Sequence, residues 1–337
     1  MQNDSLILQE KTHKTISIVM CTYNGAQFVR QQIETLLTQT YKVDEIIIQD
    51  DNSTDNTYDI LLEYAARYPH IHLYRNEKTV GANNNFYSAM RRAKSEYIAI
   101  SDQDDIWDVR KIEKQMATIG DKLLCACRSC PFSSDDTVYA IDSRTPNYHL
   151  IRLLYCSIPG HTLLFHRNLL QLTPVIDDTL KTYYDVYLGL TAAAYGSLAL
   201  TDEFLVRQRR HQGAATYMEV DKHRRPSVSN GMYILLWSLR NFIRVRPYML
   251  SYFQRRYQLL SGIKADNKVF NDALKIIDLQ RKKRLTSLFG LCAMHVKYRH
   301  YLFYAEGHGV VNFLRAALYC IMQTYNYKYL MPPTSKG

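Results

Sequence analysis

Short apolar runs alternate with amphipathic segments along the first hundred residues. The run ISIVMC, from Ile16 to Cys21, ends at the turn-like sequence TYNG. The segment that follows, FVRQQIETLLTQ, places Val29, Ile33 and Leu36 on one face of a helix. This first unit therefore predicts a strand, a turn and a helix.

The same pattern repeats along the chain. The run EIIIQD leads into DDNSTDNT, which offers several good helix N-caps, and then into the helical spacing of YDILLEYAARY. The runs IHLYRN and EYIAIS are separated by GANNNFYSAMRRAK. Strands that alternate with helices pair in parallel through right-handed crossovers, so we predict an α/β fold with a doubly wound, mostly parallel sheet.

Polar clusters follow three of the four predicted strands. They are Thr22 to Asn24, the pair Asp50 and Asp51, and the acids of SDQDDIW. Ligands of open α/β sheets bind outside the carboxyl ends of the strands, where such clusters converge. Asp102, Asp104 and Asp105 repel one another unless a cation or hydrogen-bond donors compensate them, so we expect a bound group there. Neither a GxGxxG nor a P-loop motif is found in the sequence.

The charge of the chain is unevenly distributed. The net charge is +10 over 337 residues, but residues 222–337 hold 20 Lys and Arg against 4 Asp and Glu, a net of +16. This basic third is rich in aromatic residues, and GVVNFLRAALYCIMQTY places Val311, Leu314, Leu318 and Ile321 on one helical stripe. Basic amphipathic helices suit an anionic membrane, and no motif for nucleic-acid binding accompanies them.

The composition fits a globular cytoplasmic protein. The chain is 47% hydrophobic, its first residues do not resemble a secretory signal, and no apolar run is long enough to cross a bilayer. The seven cysteines form no disulfide framework, and the cluster in LLCACRSCP is typical of small apolar residues in a buried strand. We therefore expect a cytoplasmic location, with peripheral contact to the inner face of the membrane left open.

Taken together, three segments resemble a known family. SIVMCTYNGAQFVRQQIETLLTQT, EIIIQDDNSTDNT and EYIAISDQDDIW are similar to the successive nucleotide-binding motifs of family 2 glycosyltransferases, which have the GT-A fold. The resemblance runs from Ile16 to His211. It implies an inverting enzyme that moves a sugar from a UDP- or dTDP-sugar to a hydroxyl of a glycan acceptor, lipid-linked in many such systems. Bacterial members with the DQDDIW sequence, rhamnosyltransferases among them, assemble cell-surface polysaccharides.

The resemblance also implies a domain division. Residues 14–215 form the catalytic domain, with a nucleotide-binding half at 14–110 and an acceptor half at 111–215. Residues 216–337 form a basic helical extension. Because the QxxRW motif and the transmembrane helices of processive synthases are absent from the sequence, one sugar is expected per encounter.

Matching the family motifs residue by residue gives each candidate a role. The nucleotide would contact Thr22, Tyr23, Asn24, Asp50, Asp51 and Asp102. Carboxylates can accept the N3 proton of uracil or thymine or the ribose hydroxyls; helix capping is the alternative role of Asp50 and Asp51, for which Ser53 to Asp55 are better suited.

The acids of SDQDDIW match the metal motif of the family, with Mg²⁺ or Mn²⁺ as the expected cofactor. Asp104 is the first choice as ligand. Asp105 would either bind the ion or cap a helix that begins near Trp107, and His211 would complete the metal shell.

The acceptor half supplies the remaining candidates. Asp185 falls where the family has its catalytic base, with helix capping as the alternative role. His161 would line the acceptor cleft, and Arg209 and Arg210 would pair with the diphosphate.

Two other functions remain open at this level. A metal-dependent nucleotidyltransferase also combines a doubly wound sheet with acids, although it would normally carry a Gly-rich basic loop where this chain has TYNGAQF. A non-enzymatic peripheral membrane protein on a degenerate transferase fold is the second alternative. The C-terminal region could either bind an anionic membrane or only cap the catalytic domain.

Overall fold

The computed structural model describes residues 13–133, 141–174, 183–211, 228–282, 284, 286–304 and 309–330. Its strands are β1 (Ile16–Thr22), β2 (Glu45–Asp50), β3 (Ile71–Arg75), β4 (Tyr97–Ser101), β5 (Ile106–Trp107), β6 (Leu124–Phe132), β7 (Leu163–His166) and β8 (Leu198–Arg209). Its α-helices are α1 (Val29–Leu37), α2 (Thr57–Arg67), α3 (Ala82–Arg92), α4 (Lys111–Ile119), α5 (Leu150–Leu153), α6 (Leu169–Leu172), α7 (Tyr184–Ala194), α8 (Val228–Ser261), α9 (Lys268–Arg281), α10 (Thr286–Lys297), α11 (Gly309–Ala317) and α12 (Tyr319–Met322). Short 3-10 helices cover Gly160–Thr162 and Gln323–Leu330.

The strands form one mixed sheet in the order β3-β2-β1-β4-β7-β6-β8-β5. Strands β1 to β4 pair in parallel, whereas β7 runs antiparallel to both β4 and β6. Every residue of β1, β2 and β4 is buried, as expected for strands that are covered by helices on both faces. The predicted α/β fold with a mostly parallel sheet is confirmed.

The carboxyl ends of β1, β2 and β4 lie side by side in this order. Thr22 pairs with Asp50 in the register of β1 and β2, and Met20 pairs with Ser101 in that of β1 and β4. The polar residues that follow each strand therefore meet at one edge of the sheet.

The segment after the acids of β4 differs from the prediction of a helix near Trp107. Ile106 and Trp107 instead form β5, which pairs antiparallel with β8, and the next helix begins at Lys111. This pairing explains the difference, because β8 takes up the extended segment that the apolar residues Ile106 and Trp107 provide. It also fixes the acids between two strands.

Strands β6, β7 and β8 supply the rest of the sheet. The cysteine-rich segment is β6, in which Cys125 and Cys127 are buried and free, as the sequence predicts. The segments that follow form β7 and α6.

The C-terminal helices share a core with the α/β sheet. Val245, Met249 and Phe253 of α8 are buried in the same apolar cluster as Val19 of β1 and Ile98 of β4. The predicted stripe on a single helix is divided, because α11 ends at Ala317 and α12 begins at Tyr319. Within the described residues, no helix is both long and apolar enough to span a bilayer.

Candidate active site

The loop after β1 is held by the loops after β2 and β4. Asn24 has a positive φ of 47°, and its side-chain oxygen accepts a hydrogen bond from the amide of Thr54 (2.8 Å). The amide of Tyr23 donates to Gln103 Oε1 (2.9 Å), and Gln103 Nε2 donates back to the Tyr23 carbonyl (3.1 Å). The ring of Tyr23 is exposed, so it remains available at the mouth of the site.

Asp50, at the end of β2, is fully buried and its carboxylate is hydrogen-bonded within the protein. Thr22 Oγ1 (2.9 Å) and Ser53 Oγ (2.5 Å) donate to one oxygen, and the Ser53 amide (2.9 Å) donates to the other. The guanidinium of Arg75 lies 3.6 Å from the carboxylate. Asp50 and Thr22 therefore fix the shape of the binding edge.

Asp51 holds the start of α3. Its carboxylate accepts hydrogen bonds from the amides of Val80 (2.8 Å) and Gly81 (2.9 Å) and from Asn76 Nδ2 (2.7 Å). Gly81 has a positive φ of 87°, which glycine adopts without strain. Asp51 thus ties the loop after β3 to the end of β2.

Two acids of the β4 loop meet a buried histidine. His161 Nδ1 lies 3.4 Å from Asp102 Oδ2 and 3.8 Å from Asp105 Oδ2. The 3-10 helix at Gly160–Thr162 leads directly into β7, the antiparallel neighbour of β4, and this brings His161 next to the acids. In the described part of the chain, these three side chains form a group that could hold a metal ion, with ligand atoms within 4.8 Å of one another.

The electrostatics of this group favour the protonated form of His161. Burial, together with the neighbouring carboxylates, raises the pKa of Asp105 above its ordinary value despite the opposing effect of His161. Burial alone would lower the pKa of His161, but Asp105 and Asp102 more than offset it and raise that pKa. A protonated His161 can therefore compensate the acids that the sequence leaves in close proximity.

Asp104 points away from this group and pairs with another histidine. His211 Nε2 lies 2.7 Å from Asp104 Oδ2, and the His211 ring packs on Phe28 with 4.8 Å between centroids. The side chains are 15% exposed for Asp104 and 24% for His211, against 2% for Asp105 and 3% for His161. The Asp104 pair is thus the more open of the two acid–histidine groups.

The two arginines before His211 have different surroundings. The Arg209 amide donates to Asp105 Oδ1 (3.0 Å), and its guanidinium donates to the Asp104 carbonyl (2.8 Å) and to Gln31 Oε1 (2.6 Å). Arg209 therefore holds the β4 loop against β8. Arg210 bonds Phe132 only through its backbone amide, and among the described residues its buried Nε has no hydrogen-bond partner.

Asp185 begins α7. Its Oδ1 accepts a hydrogen bond from the amide of Val186 (2.7 Å). Burial raises the pKa of Asp185 to about 6; the Val186 bond and the charge of Arg256 oppose this rise, and the charge of Asp102 adds to it. The carboxyl group is therefore half-ionised near pH 6 and mostly ionised at neutral pH, and it lies within electrostatic range of Asp102.

Gly160 and Tyr184 bring α7 close to the His161 segment. A Cβ atom at Gly160 would lie 2.1 Å from the hydroxyl of Tyr184, whose buried ring packs on Phe86 at 4.4 Å between centroids. The residue after Tyr184 is Asp185, so this close approach places the start of α7 beside His161.

Sequence reasoning missed two supporting residues. One is Gln103, which joins the loops after β1 and β4.

The other is Lys111, which is fully buried, donates to Gln115 Oε1 (2.8 Å) and lies 3.8 Å from the Trp107 ring centroid. Gln115 in turn donates to the Thr162 carbonyl (2.9 Å), next to His161. Burial lowers the pKa of Lys111 to about 8. A lysine at the start of a helix normally faces solvent, so the sequence carried no signal for it.

The structure brings most of the predicted residues to one edge of the sheet but divides the metal candidates. Asp104 and His211 lie within hydrogen-bond distance of each other, and their role in a metal shell stays a prediction. Asp105 instead joins Asp102 and His161, because the short turn between β4 and β5 directs successive side chains to different sides.

Comparisons with known proteins agree with this architecture. The family described as Glycosyl transferase family 2 matches residues 17–171. The chain is 28% identical over 214 residues to an uncharacterized glycosyltransferase of Rickettsia typhi, covering 60% of this chain and 65% of that protein. It is 32% identical over 155 residues to the Escherichia coli UDP-Glc:alpha-D-GlcNAc-diphosphoundecaprenol beta-1,3-glucosyltransferase WfaP, covering 45% of this chain and 61% of that enzyme. The chain thus spans less than two thirds of either relative.

Among solved structures, the chain is similar to S. aureus TarS 1-349 in complex with UDP-GlcNAc. The TM-score is 0.55 at 14% identity, over 92% of this chain and 89% of that one. This likeness concerns the fold and includes the C-terminal helices. Residues 17–171 of the chain therefore match the model of glycosyltransferase family 2, and the fold of the chain resembles the GT-A fold.

Proposed function

We propose that the protein is an inverting, nonprocessive glycosyltransferase that moves a sugar from a UDP- or dTDP-sugar to a hydroxyl of a lipid-linked glycan. The observation that carries the proposal is the meeting of the β4 acids, His211 and the buried Asp185 near the carboxyl ends of the parallel strands. This edge is where open α/β sheets bind their ligands. The family match over residues 17–171 supports the reaction class.

The nucleotide would lie against the loops after β1, β2 and β4. The exposed ring of Tyr23 can stack on the base, and Asn24 shapes the turn beneath it. Asp50 and Thr22 form the floor, and Asp51 sets the adjoining loop, so we propose that both acids act on the nucleotide through the loops they hold. Asp102, 37% exposed, is placed to reach the ribose.

The divalent ion would be held by Asp104 and His211. A carboxylate oxygen and an imidazole nitrogen 2.7 Å apart are donors that suit Mn²⁺, and their partial exposure leaves room for a diphosphate. When bound, the ion would stabilise the negative charge that develops on the leaving diphosphate. His161 is too deeply buried to share that role, so we propose that it acts as the counterion of Asp102 and Asp105.

Asp185 would act as the catalytic base. In-line attack by the acceptor hydroxyl requires one group to take its proton, and a carboxylate with a pKa near the working pH does this well. The raised pKa of Asp185, about 6, meets that condition.

Arg210, whose buried Nε has no hydrogen-bond partner among the described residues, would pair with a diphosphate oxygen. Arg209 would hold the loop that carries the ion.

The acceptor and location are proposed from the relatives. The name of WfaP specifies UDP-Glc as donor and a diphosphoundecaprenol glycan as acceptor, and TarS was crystallised with UDP-GlcNAc. A lipid-linked acceptor would bring this chain to the cytoplasmic face of a membrane.

A donor panel tests this proposal. Thermal unfolding is followed with UDP-, dTDP- and GDP-sugars, each with and without Mn²⁺. We expect a uridine or thymidine donor to raise the midpoint by several degrees only with Mn²⁺, since a ligand at 100 times its dissociation constant adds about 2.7 kcal/mol. Asp104→Asn should abolish the shift, whereas the matched change Asp121→Asn, at a side chain 88% exposed, should retain it. No shift with any donor would contradict the proposal.

A further inference from the structure

The outer face of α8 carries an exposed apolar stripe. Met232, Leu236, Leu239 and Ile243 are 58%, 59%, 53% and 87% exposed. At about 100° per residue these four side chains fall within about 60° of one another around the helix, and they extend along about 16 Å of it. Four large apolar side chains in line on a solvent-facing helix are unusual for a soluble surface, where such residues are normally scattered.

The following helices also turn apolar side chains outward. Phe289 of α10 is 79% exposed, and Val310 and Val311 of α11 are 74% and 70% exposed. In α11 the inward positions are Asn312 and Ala316, both buried, so the usual amphipathic arrangement is reversed. The apolar face of α11 therefore points away from the protein core.

Exposed cations flank these side chains. Arg240 and Arg244 each follow a stripe residue of α8 in sequence and are exposed, as are Lys282 and Arg284 before α10. Residues 222–337 carry a net charge of +16. Val245, Met249 and Phe253 of α8 are buried in the apolar cluster shared with β1 and β4, whereas the four stripe residues are exposed, so the stripe is not used for capping.

We propose that the α8 stripe, with the cations that flank it, docks the protein on an anionic phospholipid bilayer. The apolar side chains would enter the boundary between headgroups and acyl chains, and the flanking cations would contact lipid phosphates. The proposal extends the proposed function, because it holds the active site beside a membrane that carries the acceptor.

The charge of the surface selects this partner over a second copy of the chain. Two copies joined through the stripe would bring Arg240 and Arg244 of each against those of the other, and like charges in such an interface are unfavourable. An anionic bilayer meets both features at once, since it accepts apolar side chains and neutralises the surrounding cations. Shallow insertion also agrees with the finding that no described helix can span a bilayer.

Vesicle sedimentation with the full-length protein tests the proposal. The probes are vesicles of phosphatidylglycerol with phosphatidylcholine and vesicles of phosphatidylcholine alone, at low and high salt. We expect binding to the anionic vesicles that weakens in high salt. Leu239→Ser with Ile243→Ser should lower the partition coefficient at least about tenfold. Arg240→Gln with Arg244→Gln should weaken anionic binding and reduce its salt dependence.

The control is Leu62→Ser with Leu172→Ser, which removes exposed leucines of the catalytic half and should bind like the wild type. Circular dichroism and release of nucleotide diphosphate in detergent-free solution show that each variant is folded and retains its basal activity. Equal vesicle binding by the wild type and the stripe variants would overturn the proposal. So would a wild-type dimer that the stripe variants dissociate, in the absence of vesicle binding. Vesicle binding without any sugar transfer would overturn the proposed function alone.

Discussion

The imidazole of His211 lies 2.7 Å from the carboxylate of Asp104, although 107 residues separate the two in the sequence. The contact forms because β8, which ends just before His211, pairs with β5, which begins just after the acids of β4. A second histidine, His161, reaches Asp102 and Asp105 from the other side. The acids of the loop after β4 thus belong to two acid–histidine groups, one partly exposed and one buried.

The open pair should determine metal affinity. We expect His211→Asn to weaken Mn²⁺ binding by about 10- to 100-fold, because it removes a ligand or its orienting partner. Isothermal titration with Mn²⁺ in the presence of the nucleotide diphosphate measures the change. His161→Asn provides the matched comparison at the buried pair and should alter the affinity much less. A larger loss with His161→Asn would assign the ion to Asp102, Asp105 and His161 instead.

Asp185 should reduce stability while it serves catalysis. Its folded pKa of about 6 lies above the ordinary value of 3.8, so its contribution to stability is present in acid and is lost as the pH rises through about 6. Asp185→Asn keeps an acceptor for the Val186 amide and removes the buried charge. We expect this variant to gain about 2 to 3 kcal/mol in the free energy of unfolding at pH 8 and almost nothing at pH 4. Urea denaturation at both pH values measures the difference, and a loss of stability at pH 8 would contradict this prediction.

The carboxyl group of Asp185 should also determine how kcat/KM falls at acid pH, which is the acid limb of the pH profile. The ionised carboxylate accepts the proton of the acceptor, so kcat/KM should rise as the pH increases through about 6 and then level off. Asp102 and Arg256, whose charges act on Asp185 in opposite directions, are the neighbours that set the midpoint. Arg256→Gln should therefore move the limb to higher pH. A profile without a limb between pH 5 and about 7 would argue against Asp185 as the base.

Gly160 should be sensitive to the addition of a single methyl group. A Cβ atom there would meet the Tyr184 hydroxyl at 2.1 Å, and the buried ring has little room to move. We expect Gly160→Ala to destabilise the protein by about 1 to 3 kcal/mol and to lower kcat by displacing the start of α7. Gly231→Ala is the control, because nothing lies within 4 Å of a Cβ atom in that helix and alanine favours the helix by about 0.5 to 1 kcal/mol. Thermal unfolding and steady-state kinetics distinguish the two variants.

The nucleotide-binding half could be predicted from the sequence because its signals are local. Apolar runs end in polar clusters at β1, β2 and β4, and parallel pairing then requires those clusters to meet at one edge. The partners of the acids could not be predicted in this way. His161 and His211 reach them through the antiparallel β7 and β8, and no local pattern specifies such long-range pairings. The burial of Lys111 was likewise hidden, since it depends on the packing of α4 against β6.

Near Trp107 a local sequence pattern predicts a helix that the structure does not form. The segment DIWDVRK has the composition of a helix start, but the edge of β8 offers hydrogen bonds to Ile106 and Trp107 and the segment takes a strand conformation. Tertiary pairing outweighs local preference over such short stretches.

The most direct test of the proposed function is sugar transfer by the purified full-length protein. Release of nucleotide diphosphate from UDP- and dTDP-sugars is measured with Mn²⁺ and an extract of lipid-linked acceptors, and the glycolipid product is identified by mass spectrometry. We predict release coupled to an acceptor lengthened by one sugar. Asp185→Asn should slow that release by about 100-fold or more, and Asp121→Asn should react like the wild type. Wild-type activity in Asp185→Asn, or no nucleotide diphosphate release from any sugar donor, would contradict the proposal.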